Sequence, residues 1–136
     1  MIPICGRIGI MLIDTNIYSL AMRGDAEVVD TLRRTRSIGI SVISIGELLS
    51  GFKAGKKERK NRRELEEFLD SPRVRVYGID EDCAEFYASI LNSLRSVGKP
   101  VPTNDLWIAS IALRYGLRIY TKDSHFQNIP GIVLYS

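Results

Sequence analysis

Cysteine and histidine are nearly absent from this 136-residue chain, which holds two cysteines, Cys5 and Cys83, and one histidine, His125. Two cysteines cannot build a disulfide framework, and they fit no metal-ligand spacing. No Ser-His-Asp or Cys-His arrangement stands out, and no P-loop is present. Long apolar runs are missing too: none approaches the roughly 20 residues that cross a bilayer. The opening "MIPICGRIGIMLIDTN" carries one arginine and no small-residue cleavage site in the right place, so it does not read as a signal peptide. A reducing, cytoplasmic setting with no membrane partner is the expectation. Repeats, low-complexity tracts and linkers are also lacking. One domain over residues 1–136, large enough for a proper core, is therefore expected.

Charge is present but unevenly placed. The chain is +3 overall, while "KAGKKERKNRR" (Lys53 to Arg63) alone carries +6, which leaves −3 for the remainder. Its cations are Lys53, Lys56, Lys57, Arg59, Lys60, Arg62 and Arg63. Such a block points to an anionic partner, either nucleic acid or an acidic protein. The alternative is a solvated helix face with pairs Lys60–Glu64, Arg62–Glu66 and Arg63–Glu67. These run base before acid, the weaker order, so helix stability explains the block poorly.

Strand-like and helix-like segments alternate along the chain. "IGIMLID" (Ile8 to Asp14) and "IGISVIS" (Ile38 to Ser44) are continuous apolar runs, as expected of strands buried on both faces. Helices are expected over Asn16 to Arg23 and over Ala26 to Arg36, the second capped by Asp25. Ile45, Leu48, Leu49 and Phe52 form a helical stripe, as do Cys83, Phe86, Tyr87, Ile90, Leu91 and Leu94. The basic block opens a further helix ending near Asp70, with Leu65, Phe68 and Leu69 as its apolar face. "RVRVYG" (Arg73 to Gly78) alternates like an edge strand. After the breaker "GKPVP" comes a helix containing Leu106, Trp107 and Ile108, and then strands "LRIYT" (Leu117 to Thr121) and "IVLY" (Ile132 to Tyr135). Five strands separated by helices imply a three-layer α/β/α sandwich with a mostly parallel five-stranded sheet. Ligands in such folds bind beyond the carboxyl ends of the strands.

Four acids occupy that kind of position. Asp14 ends the first strand, Glu47 opens the helix after the second, Asp105 opens the apolar helix and Asp123 follows the fourth strand. Each has a purely local explanation. Asp14 or Thr15 caps a helix, Ser44 and Glu47 match a capping box, Thr103 caps a helix whose dipole Asp105 favours, and Asp123 makes an Asx turn. Taken together, four carboxylates on one rim would repel one another and raise their own pKa values unless a cation sat among them. An all-oxygen set suits Mg2+ or Mn2+ rather than zinc. The implied chemistry is metal-assisted phosphodiester hydrolysis.

The motifs "LIDTN", "SIGELLSG", "PTNDLWIAS" and "YTKD", in that order, resemble the PIN domain, and most closely its VapC-type ribonuclease toxins. The resemblance covers nearly everything from Met11 onward and sets residues 1–10 apart as an N-terminal extension. It implies that Asp14, Glu47, Asp105 and Asp123 are a catalytic, metal-binding quartet for Mg2+ or Mn2+. Thr15, Asn16, Asn104 and Thr121 match positions that orient those carboxylates. It further implies an RNA substrate, a homodimer and a VapB-type antitoxin partner. The alternative function is a catalytically silent PIN-like module that binds nucleic acid within a repressor complex. Two other acidic-rim folds fit worse. A haloacid-dehalogenase-like phosphatase needs an Asp where Asn16 stands, and a response-regulator receiver fits "RVYGID" badly. His125 reads as a loop or packing residue rather than a catalytic base.

Overall fold

A computed structural model describes residues 10–135 of the chain. Cys5, Ile8, Gly9 and most of the expected N-terminal extension lie outside the described residues. Strand β1 is Ile10–Ile13, β2 is Ser37–Ser41, β3 is Val74–Tyr77 and β4 is Arg118–Tyr120. Helices α1 (Thr15–Met22) and α2 (Ala26–Arg34) join β1 to β2, and α3 (Val42–Ala54) and α4 (Glu58–Asp70) join β2 to β3. Helices α5 (Glu81–Ser96) and α6 (Thr103–Tyr115) join β3 to β4. Every strand pair is parallel, and the order is β3-β2-β1-β4. No described helix is long and apolar enough to cross a membrane.

The α/β/α layering follows from the alternation of side chains along the strands. Leu12 and Ile119 enter a core beneath α5 and α6, together with Ile90, Ile108, Ile111 and Phe126. Met11, Ile13, Ile38, Ile40 and Tyr120 face the other way and pack with Ile17, Val28, Leu48 and Leu65 from α1 to α4. In β2 the small residue is Gly39, where a Cβ would meet the Tyr77 ring at 2.9 Å. The edge strand thus lays its aromatic ring across its neighbour's backbone. Cys83 is fully buried in the first core, and burial pushes its thiol pKa up. Trp107 stacks on Tyr87 with ring centroids 4.0 Å apart.

The sheet has four strands, not five. "IVLY" forms only an isolated parallel bridge, Ile119 to Leu134, in which the Ile119 N–H donates to Val133 O (2.9 Å) and the Tyr135 N–H to Ile119 O (2.8 Å). Strand β4 is itself only three residues long, and Ile119 alone pairs with this outer segment. The expected second strand also stops early, at Ser41, whose side chain accepts from the Ser44 N–H at 3.0 Å and so starts α3. Asp25 caps α2 as expected. Helix α6 has no side-chain cap: Pro102 occupies the N-cap position and Thr103 is already helical. It ends at Gly116, whose φ of 67° allows the left-handed turn that admits β4.

The sheet order reverses at β1, which lies between β2 and β4, so the crevice at the carboxyl ends of β1 and β4 is the topological switch point. Phe126, 1% exposed, pins the loop after β4 to the core beside that crevice. Phe126→Ala is expected to cost about 3–5 kcal/mol, read as a lower denaturant midpoint at unchanged slope.

Candidate functional site

Asp14 ends β1 at the switch point and is only 4% exposed. It is the N-cap of α1, its Oδ1 accepting from the Ile17 N–H at 2.9 Å, while Oδ2 accepts from the Thr121 hydroxyl at 2.5 Å. The capping explanation therefore holds, yet it does not account for the burial of the second oxygen. Thr121 also accepts from the Asp123 N–H at 2.9 Å, and Asp123 Oδ1 accepts from the His125 N–H at 2.9 Å. Thr121 thus ties the Asp14 carboxylate, at the end of β1, to the backbone of Asp123, after β4.

Glu47 lies in the second turn of α3, so the Ser44–Glu47 capping box does not form. Its Oε1 is 2.5 Å from the Thr15 hydroxyl, which also lies 2.9 Å from Ser44 Oγ, and its Oε2 accepts from Asn104 Nδ2 at 3.0 Å. Of the four residues matched to orienting positions, Thr15, Asn104 and Thr121 each hydrogen-bond a member of the quartet. Asn16 is exposed, and among the described residues its side chain bonds to none of them. An open cleft of about 650 Å3 lies along α3 from Val42 and Ile43 past Gly46 and Glu47 to Ser50 and Gly51, with Asn104 on its wall.

The four acids share one electrostatic environment. Burial is the largest influence raising the pKa of Asp14; hydrogen bonds from Thr121 and Ile17 oppose it, and the charges of Asp123 and Glu47 add to it. Asp105, in the first turn of α6, is pushed up to about 6, first by burial and then by Asp123, Asp14 and Glu47, with His125 acting in the opposite direction. Among the described residues no Lys or Arg lies within 4.0 Å of these carboxylates; the one basic group in reach is the His125 imidazole. Its Nδ1 is 3.0 Å from Asp123 Oδ1 and 3.8 Å from Asp105 Oδ2. Sequence reasoning set His125 aside; its place two residues after an acid at a strand end was the available signal. A hard divalent cation fits this donor set, because it would satisfy several carboxylate oxygens that have no other counter-charge.

The basic block is separate from the acids. Lys53 is in the last turn of α3, Lys56 and Lys57 lie in the turn, and Arg59, Lys60, Arg62 and Arg63 are on α4. Lys60 pairs with Glu64 as expected, at 3.6 Å. Arg62 does not take Glu66 but reaches back to Glu58 at 3.8 Å, in the favourable acid-before-base order, and Lys53 meets the same acid at 3.4 Å. The Arg63–Glu67 pair does not form. Lys56, Lys57, Arg59 and Arg63 have no carboxylate partner among the described residues.

Residues 11–132 match the PIN domain. The chain belongs to the PIN domain family. Within it, this PIN domain is 33% identical to Ribonuclease VapC4 of Mycobacterium tuberculosis over 94 residues, 69% of this chain and 72% of that protein. Ribonuclease VapC2 of Rickettsia felis is 29% identical over 130 residues, with 92% and 96% covered. The crystal structure of VapBC2 from Rickettsia felis bound to a DNA fragment from their promoter matches at a TM-score of 0.85 and 28% identity, covering 93% of this chain and 97% of that one. The VapC-type likeness carried by the four motifs therefore extends over the whole PIN fold.

The raised pKa of Asp105 has a consequence for the metal-free protein. In the unfolded chain this carboxyl loses its proton near 3.8, whereas in the folded protein it does so near 6. The folded state therefore binds the extra proton between those values, and its stability declines as pH rises through that window. Asp105→Asn removes this contribution. In EDTA, its melting temperature is expected to exceed that of wild type by several degrees at pH 7, with the advantage shrinking toward pH 4.5.

Proposed function

We propose that this PIN domain is a divalent-metal-dependent endoribonuclease, the toxin of a toxin–antitoxin pair, with Asp14, Glu47, Asp105 and Asp123 holding its Mg2+ or Mn2+ ion. The observation that carries the reading is the gathered negative charge: the charges of the other acids help raise the pKa values of the buried Asp14 and of Asp105, and among the described residues no Lys or Arg lies within 4.0 Å of the four carboxylates. When bound, the ion supplies Lewis-acid activation of water and of the phosphoryl group. The chain's own contribution is positional. Ile17 and Thr121 fix Asp14, Thr15 and Asn104 fix Glu47, and the His125 N–H fixes Asp123, so the carboxylates meet the ion already oriented.

The ribonuclease names of the relatives support RNA as the substrate, and the VapBC complex of Rickettsia felis supports a VapB-type antitoxin as partner. That complex is bound to promoter DNA, so membership of a repressor complex adds to the cleavage reading rather than replacing it. A homodimer in a cytoplasmic setting completes the proposal. Lys53, Lys56, Lys57, Arg59, Lys60, Arg62 and Arg63 are assigned to contact with an anionic partner, RNA or antitoxin. Lys53 is about 9 Å along α3 from Glu47, two residues beyond Gly51 of the cleft.

Cleavage of RNA by purified, partner-free protein in Mg2+, Mn2+ or EDTA tests the reading. Activity should require the ion and fall at least about 100-fold in Asp105→Asn, with the fold retained; a variant that cuts at the wild-type rate would exclude Asp105 from the site. Thr121→Val, which removes one hydroxyl, should lower the rate about 10–100-fold. For the basic block, the double variant Lys56→Glu, Lys57→Glu should weaken RNA binding and flatten the plot of log affinity against log salt by about 1.4. An unchanged slope with weakened antitoxin binding would assign the two lysines to the antitoxin instead.

A further inference from the structure

Among the side chains around the four acids, His125 supplies a nitrogen donor in a set otherwise made of oxygen. One donor atom each from Asp105, Asp123 and His125 lies within 4.8 Å of the others. A cation bound to nitrogen and oxygen at about 2.0–2.2 Å separates its ligand atoms by at most roughly 4.4 Å, twice the bond length. Side-chain adjustments of a few tenths of an ångström therefore bring all three onto one ion. The backbone that carries the imidazole is also well anchored for that task. Its N–H is bonded to Asp123 Oδ1, it sits in the short 3-10 helix Ser124–Asn128, and the next residue is the buried Phe126.

We infer that His125 is a nitrogen ligand of the metal centre, beside Asp105 and Asp123, and that it makes the centre favour a borderline transition ion such as Co2+ over Mg2+. The inference rests on the divalent-ion reading above. Mg2+ demands near-ideal octahedral geometry, keeps several of its waters and takes oxygen ligands. Imidazole suits transition ions, and the affinity of nitrogen-containing sites climbs from Mn2+ through Co2+ to Ni2+. A site of four carboxylates alone would act on charge and discriminate weakly among divalent ions of similar size. One neutral imidazole among the ligands adds selectivity without adding to the repulsion among the acids.

Dissociation constants for Mg2+ and Co2+, measured by titration calorimetry on wild type and His125→Ala, test this, with the visible absorption of bound Co2+ recorded in parallel. His125 is half exposed, so the variant should keep the fold, and circular dichroism checks that it does. The expected result is Co2+ binding weakened about tenfold or more, Mg2+ binding changed less than about threefold, and a shift of the Co2+ bands as a nitrogen ligand is lost. Equal weakening of both ions, or no change in either, would overturn the role of His125 and leave the carboxylate centre standing. A wild-type protein that binds neither ion would overturn the centre itself, and this inference with it.

Discussion

The carboxylate of Asp14 joins the end of β1, the first turn of α1 and the segment after β4 through two hydrogen bonds, one from the Ile17 N–H and one from the Thr121 hydroxyl. Because it is buried, neither bond competes with water, and the cost of leaving either unmade is high. The remaining acids are arranged around this fixed point. Asp123 follows from Thr121 through a backbone bond, and Glu47 is held by Thr15, the residue after Asp14. Asp105 arrives from a separate helix and has no such tie, and it is the acid pushed up to about 6.

The parallel sheet makes this convergence possible and also confines it to one end. With order β3-β2-β1-β4, the chain leaves β1 for one side of the sheet and returns to its other side only with β4. The acids collect at the carboxyl ends of β1 and β4. Arginines precede or open the strands at the opposite end: Arg36 before β2, Arg73 before β3 and Arg118 in β4. Arg73 donates to the carbonyls of Leu32 and Thr35 there and closes the end of α2. These arginines lie away from the acidic rim, and Lys122, the neighbour of Asp123, pairs with Glu27 instead, which leaves a charge that a bound ion can balance.

The strand and helix pattern was legible because apolar runs and helical stripes mark most elements, and Asp14, Asp105 and Asp123 fall at or next to boundaries between them. What misled was local chemistry with two valid solutions. Ser41 and Ser44 both suit an N-cap, and only burial of β2 up to residue 41 selects Ser41, which moves Glu47 into the second turn and dissolves the apparent capping box. Arg62 has an acid four residues away on each side, and helix polarity favours Glu58 over Glu66. The fifth strand was read from the short apolar run "IVLY", which meets β4 at a single bridge, and sequence alone does not give the extent of pairing. His125 was passed over because a lone histidine carries no pattern; its meaning lies in Asp105, twenty residues away and on another helix.

Thr121 Oγ1 both donates to Asp14 and accepts from the Asp123 backbone, so a single atom sets the positions of two acids from different strand ends. Only a hydroxyl on a short side chain can do both, which narrows the workable residues at this position to threonine and serine. The placement of both acids in consequence depends on the one residue at position 121. Sequence change can reshape the cleft along α3 one residue at a time, where Gly46, Ser50 and Gly51 carry little side chain, while a change at residue 121 reaches two acids at once.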